Sequence, residues 1–271
     1  MARWASYIDN QREKGSVLLL DTGNFCRSMK VKTDKLDYRY FFEAMKKMDY
    51  AAVNVADNEI RFGRKKLLET AEKYDIPLIS SNIYDKRGKQ TLGRKYIIKN
   101  VGGKSTLFGN KGGLRVGIFS VVLPHFIYEV DPIVPKYYAV SNPNIAALEA
   151  VSKLKEEGCD LIIAISHQGW LQSMSLAEEI DGIDIVINGR KNHQGTYHEW
   201  SDSTIVVDTG NKRVSFTEIK VEYRNGKRYI LATDMGARAH KSEGRADLKK
   251  LEEIYAKELE KAGIEDARKN N

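Results

Sequence analysis

Four short apolar runs in this 271-residue chain each stop at a cluster of side chains from which acid–base or ligand-binding chemistry can be built. Val17 to Leu20 gives way to Asp21-Thr22-Gly23-Asn24, and Ala51 to Ala56 gives way to Asp57-Asn58-Glu59. Leu161 to Ile165 ends in Ser166-His167-Gln168-Gly169, and Ile183 to Ile187 ends in Asn188-Gly189-Arg190-Lys191-Asn192-His193. If the runs are strands, all four turns lie at strand carboxyl ends, where open α/β sheets bind their ligands, and they converge on one crevice. The plain alternative is that every strand needs a polar turn. Two further patterns carry less. Asp21-Thr22-Gly23 and Asp208-Thr209-Gly210 could be the paired carboxylates of an aspartic protease, sharing one proton. Both continue into asparagine, Asn24 and Asn211, and the several helices contradict an all-β protease. Gly103-Lys104-Ser105 has Ile98 where a phosphate loop needs its leading glycine, and no helix follows.

The elements that must position these turns alternate between strand-like runs and helical periodicity, the pattern of a βαβ-type fold with mixed parallel and antiparallel pairs. Strands are expected at 17–20, 51–55, 76–79, 95–101, 114–122, 161–165 and 183–187, with helices around 40–48, 64–74 and 171–179. The clearest helix runs from Pro143 to Glu157, capped by Ser141 or Asn142 and closed by Gly158. Segments 204–207, 214–223 and 229–232 read as a terminal antiparallel set. A last helix carries Leu248, Leu251, Ile254, Tyr255 and Leu259 on one stripe, as a helix packed on a core does; a partner's docking helix is the sharper alternative. The glycine-rich stretch 102–113 reads as a loop or hairpin.

Composition bounds the function classes. The chain is 42% hydrophobic and 30% charged, without an apolar run near the length that spans a bilayer. A formal charge of +7 suits an anionic partner such as phosphate or nucleotide. The basic stretch 86–99 and the cluster Arg61, Arg64, Lys65 and Lys66 lack interleaved aromatics, so they read as solvated faces, and nucleic acid is not the expected partner. Cys26 and Cys159 are too few for a disulfide framework and read as one buried thiol each. No secretory signal is visible, which points to the cytoplasm, or to the periplasm if the start is truncated.

In the four turns the chain resembles the calcineurin-like metallophosphoesterases, specifically the N-terminal domain of the bacterial 5'-nucleotidase and UDP-sugar hydrolase family. That family reads apolar-Asp-x-Gly-Asp, then Gly-Asn-His-Glu, then apolar-Ser-His-x-Gly, then Gly-Ile-Asp-apolar-Ile-x-Gly-His-x-His. This chain reads Asp21-Thr22-Gly23-Asn24, then Ala56-Asp57-Asn58-Glu59, then Ser166-His167-Gln168-Gly169, then Gly182-Ile183-Asp184 through Gly189-Arg190-Lys191-Asn192. Ile79 to Ile83, Val116 to Ile118, Leu176 to Glu179 and Thr204 to Gly210 look alike too, so the resemblance covers about residues 2–223. It implies a metallophosphoesterase-type α/β sandwich, mixed sheets flanked by helices. Residues 1–235 would form the domain, with 236–271 a helix and tail of the same domain.

The resemblance also implies chemistry: two divalent metals, Mn, Zn or Mg, about 4 Å apart, which clamp a phosphate ester or nucleotide and activate a water for hydrolysis. Several positions depart from it. The bridging carboxylate falls at Asn24, a neutral amide. The ligating asparagine becomes Asp57, which can still coordinate, and the histidine that assists the leaving group becomes Asn58, which cannot supply a proton near pH 7. The last two histidines become Arg190 and Asn192, and His167 alone is unchanged. The early Asp-x-His element is expected to have no counterpart, Asp9-Asn10-Gln11 standing too close to the first strand. The expected metal positions are Asn24, Asp57, His167 and Asn192, the catalytic ones Asp57 and Asn58, and the phosphate-binding ones Arg190 and Lys191. His193 and His198 could shift inward beside Asp57 and His167 to hold one metal, or lie in a surface loop. Catalysis is expected to be weak or absent, with one metal or none; a pseudoenzyme binding phosphate, nucleotide or nucleic acid is the alternative.

Overall fold

Residues 161–167, 185–188 and 204–208 are apolar almost without interruption because both faces of the sheet they form are covered. The computed structural model describes residues 1–25, 34–61, 63–87, 89–106, 109–111, 113–129, 134–190, 196–210, 216–225, 227–234 and 242–261. Its first half comprises α1 (Ala2–Arg12), β1 (Leu19–Asp21), α2 (Asp34–Met48), β2 (Tyr50–Asn54), α3 (Asp57–Ile60), α4 (Arg64–Tyr74), β3 (Leu78–Ile79) and β4 (Ile83–Asp85). Then come β5 (Tyr96–Val101), β6 (Lys104–Thr106), β7 (Gly109–Lys111), β8 (Leu114–Val122), α5 (Pro124–Glu129), α6 (Val134–Tyr137), β9 (Tyr138–Val140) and α7 (Pro143–Glu156). The remainder is β10 (Leu161–His167), α8 (Trp170–Glu179), β11 (Ile185–Asn188), β12 (Tyr197–Ser201), β13 (Thr204–Asp208), β14 (Thr217–Arg224), β15 (Lys227–Asp234) and α9 (Ala246–Lys261).

Two sheets stack face to face between two helical layers. The smaller is parallel, in the order β1-β2-β3; the larger runs β12-β13-β11-β10-β8-β5, parallel except at its two edge strands. Side-chain alternation assigns the layers. Ile163, Ile165, Ile185, Ile187, Ile205 and Val207 face inward against Ala52 and Ile79 of the smaller sheet. Ile162, Ala164, Val186 and Val206 face outward onto Ala147, Val151 and Leu154 of α7 and Leu176 of α8. Beyond the smaller sheet, Phe42 and Met45 of α2 and Leu67 and Ala71 of α4 close the other side. α9 lays Leu248 and Leu251 against Ala2, Ala5, Ile8 and Met48 of α1 and α2. Ile254 stands at the rim, 44% exposed, so the expected stripe is narrower than its spacing suggested.

Helix α7 begins where its cap demands: Asn142 accepts hydrogen bonds from the backbone of Asn144 and Ile145, Pro143 follows, and Gly158 takes a φ of 70° just beyond. The glycine-rich stretch is a hairpin, β6 pairing with β7. Two expectations need correction. Segment 204–208 does not join the terminal antiparallel set; it pairs parallel with β11 because both its faces are buried, leaving β14 and β15 as a hairpin of their own. Cys159 is half-buried rather than buried, and Cys26 lies outside the described residues.

Candidate active site

His167 occupies the last position of β10 and, two residues beyond Ile165, points to the inner face of the larger sheet. It therefore reaches across to the turns that follow β1 and β2 in the smaller sheet. Its Nδ1 lies 3.1 Å from the Thr22 carbonyl, and its Nε2 lies 3.1 Å from Asp57 Oδ1 and 3.1 Å from Asn24 Nδ2. Asn24 adopts a φ of 59°, a left-handed conformation that asparagine tolerates better than most residues. Its Nδ2 donates to Asp57 Oδ1 at 2.9 Å, and its Oδ1 accepts the Asn58 backbone N–H at 2.9 Å. Glu59, fully buried, accepts the backbone N–H groups of Asn24 and Ala56 through Oε2.

Asp57 is 8% exposed. Burial pushes its carboxyl up, but the hydrogen bond and charge of His167, with the Asn24 amide, outweigh that and hold it below the usual carboxylate range. Arg190 Nη1 comes within 3.6 Å of Asp57 Oδ1, and its guanidinium stacks on the Phe126 ring of α5, 3.3 Å from the centroid. The turn bearing Arg190 is tied to Asn188, whose Nδ2 donates to the Arg190 carbonyl at 2.7 Å and to Asp208 Oδ2 at 3.1 Å. The structure thus brings Asn24, Asp57, Asn58, His167 and Arg190 into one cluster, while Lys191, Asn192 and His193 lie outside the described residues. Sequence reasoning gave no role to Glu59, Thr22, Asn188 or Phe126, and weighed Asp208 only in the aspartic-protease pattern. Glu59, Thr22 and Asn188 had a signal in the polar turns themselves; Phe126 had none.

His198 stands exposed on the edge strand β12, with β13 and β11 between it and His167, a lateral offset of about 14 Å at ordinary strand spacing. Asp9 lies in α1, paired with Arg12 and Arg245. The two Asp-Thr-Gly segments form matching turns, Asp21 Oδ1 accepting from Gly23 N at 2.8 Å and Asp208 Oδ1 from Gly210 N at 2.7 Å. They end strands of different sheets in an α/β sandwich, and the protease reading does not survive that. Nor do the described residues fit a two-metal centre: Asn24 is a neutral amide bonded to Asp57 and His167, and among the described residues no group of three His, Cys, Asp or Glu side chains could hold a metal ion. No described helix is long and apolar enough to cross a membrane.

A parallel-stranded sandwich with its polar turns gathered at the carboxyl ends of both sheets is the calcineurin-like metallophosphoesterase fold. The homologues are 5'-nucleotidases and calcineurin-like phosphoesterases, and the structural neighbours match this chain with their metallophosphoesterase domain. No protein-family model matches the chain. It is 28% identical over 172 residues to a 5'-nucleotidase of Vibrio parahaemolyticus, covering 60% of this chain and 27% of that protein. The sulfate thiohydrolase SoxB of Thermus thermophilus superposes with a TM-score of 0.80 at 16% identity, over 96% of this chain and 47% of its own. The calcineurin-like phosphoesterase YfkN of Bacillus subtilis does so at 0.73 and 19% identity, over 95% of this chain and 88% of the other. The chain therefore spans about a quarter of the length of the curated 5'-nucleotidase it matches.

Proposed function

We propose that this 5'-nucleotidase-like metallophosphoesterase domain, residues 1–235 with the helix and tail 236–271, binds a phosphate ester or nucleotide and hydrolyses it weakly or not at all. The observation that carries the reading is Arg190. Its guanidinium is braced against the Phe126 ring beside Asp57, with the planar fork that suits a pair of phosphate oxygens. Lys191 follows it in sequence and would add charge.

The hydrolytic parts are depleted by the same residues. Asn58 stands where the pattern of the family the chain resembles has histidine and is no proton donor near pH 7, and Asn24 offers an amide where that pattern has a bridging carboxylate. Asp57, His167 and Asn192 retain groups that could touch a cation, yet the described ones are already bonded to each other or to Asn24.

The test pairs turnover with binding. Hydrolysis of p-nitrophenyl phosphate and AMP is measured with manganese, zinc or chelator, beside His167→Ala and Asp57→Ala, while AMP binding is followed by calorimetry in wild type and Arg190→Ala. Expected are no metal-dependent turnover and AMP binding that weakens at least about tenfold in Arg190→Ala. Metal-dependent turnover abolished by the two alanine changes would overturn the loss of catalysis, and AMP binding indifferent to Arg190 would overturn the site.

A further inference from the structure

The orientation of one carboxamide determines what this crevice can accept. Asn24 Oδ1 receives the Asn58 N–H at 2.9 Å, so the side-chain nitrogen must point the other way, into the gap between Asp57 Oδ1 at 2.9 Å and His167 Nε2 at 3.1 Å. We infer that the Asn24 amide group occupies the seat a divalent cation would need between Asp57 and His167, so that the wild-type crevice excludes the metal.

The reasoning is one of lone pairs and space. An amide nitrogen carries two protons, and two acceptors face it. His167 Nδ1 faces the Thr22 carbonyl and so carries a proton. In the neutral ring Nε2 then gives its lone pair to the amide; in the charged ring it donates a second proton to Asp57, 3.1 Å away. Neither state leaves Nε2 a lone pair for a cation. A transition-metal ion needs such atoms at about 2.0–2.2 Å, inside the volume the nitrogen fills. Arg190, 3.6 Å from Asp57, supplies positive charge from the side. The carboxylate thus keeps a cationic and hydrogen-bonded surrounding without any ion, and removing the amide protons is what should open the seat.

This deepens the reading of the crevice as a metallophosphoesterase-type site and rests on it, but it does not depend on phosphate binding. Asn24→Asp keeps the acceptor for Asn58 N–H and replaces the two donors by an oxygen that repels Asp57. Manganese binding by the full chain is followed by electron paramagnetic resonance and calorimetry, with circular dichroism as the folding control. Wild type is expected to show no His167-dependent site. Asn24→Asp is expected to bind manganese at least about 100-fold more tightly than wild type, the gain disappearing when His167→Ala is added.

If Asn24→Asp fails to fold without metal and folds with it, the inference is equally supported. Should it fail to fold in both conditions, wild type alone decides. His167 ring resonances unbroadened by added manganese uphold the exclusion, and paramagnetic broadening of them overturns it. A folded Asn24→Asp that gains no site also overturns it. In either failure the AMP binding expected through Arg190 stands or falls on its own measurement.

Discussion

Gly189 lies directly against Thr22. A β-carbon built on Gly189 would stand well inside contact distance of the Thr22 side chain and 2.9 Å from the Thr22 carbonyl oxygen. That carbonyl already accepts from Asn54 Nδ2 and faces His167 Nδ1, so the approach ties the end of β11 in the larger sheet to the turn after β1 in the smaller one. Gly189→Ala should cost about 1–3 kcal/mol in denaturant unfolding and shift the His167 resonances. An unchanged midpoint would mean that the two turns can part without strain.

Asp21 gives the fold an unusual pH dependence. Desolvation pushes its carboxyl up to about 6, against the Gly23 N–H that favours the charged form. Between the ordinary 3.8 and about 6 the native state holds more protons than the unfolded one, so stability falls as pH rises through that window and is level above it. Asp21→Asn keeps an acceptor for Gly23 and should remove the decline. Because the side chain is partly open to water, the gain expected at pH 7 is about 1–3 kcal/mol. Parallel stability–pH curves for the two proteins would contradict it.

Arg190 should not be replaceable by lysine. A flat guanidinium can lie on Phe126 and still present two donors, whereas an ammonium offers a point charge on a flexible stem. Arg190→Lys is expected to weaken AMP binding about tenfold, and Phe126→Leu by a smaller factor, both without loss of thermal stability. Equal binding by wild type and Arg190→Lys would reduce the role of Arg190 to simple charge.

Asn82 is a structural partner of the crevice. It is fully buried, and its amide closes on Val122 from both sides while also donating to the Ser141 carbonyl. Asn82→Ala leaves those backbone groups without partners and should cost about 2–3 kcal/mol. A loss under 1 kcal/mol, on the order of a surface change, would show that water replaces the amide.

The apolar runs and their polar ends were legible because parallel strands covered on both faces leave continuous hydrophobic segments that stop abruptly. Helix α7 was legible from its cap, its proline and its closing glycine. β12 was not: Tyr197-His198-Glu199-Trp200-Ser201 is mostly exposed and is held by backbone pairing with β13, which leaves no alternation to read. α1 escaped notice because its buried face is Ala2, Ala5 and Ile8, too small to stand out in hydropathy. Within the crevice, residue types marked Asn24, Asp57 and His167, but no pattern in a single sequence says which way an amide points or that Phe126 lies under Arg190. Those relations join segments 33 to 143 residues apart, or depend on a helix whose own sequence is unremarked.

The left-handed backbone of Asn24 has an evolutionary consequence. At a φ of 59° most side chains are strained, while asparagine and aspartate are both admitted, and the two are nearly the same size. The backbone therefore does not guard this position. A change between the codons for asparagine and aspartate needs a single base, and it would exchange a self-bonded amide for a cation-seeking carboxylate without remodelling the loop. If the Asn24 amide is what keeps the ion out, one mutation would carry this domain from the metal-free to the metal-binding form, or back, without altering its structure.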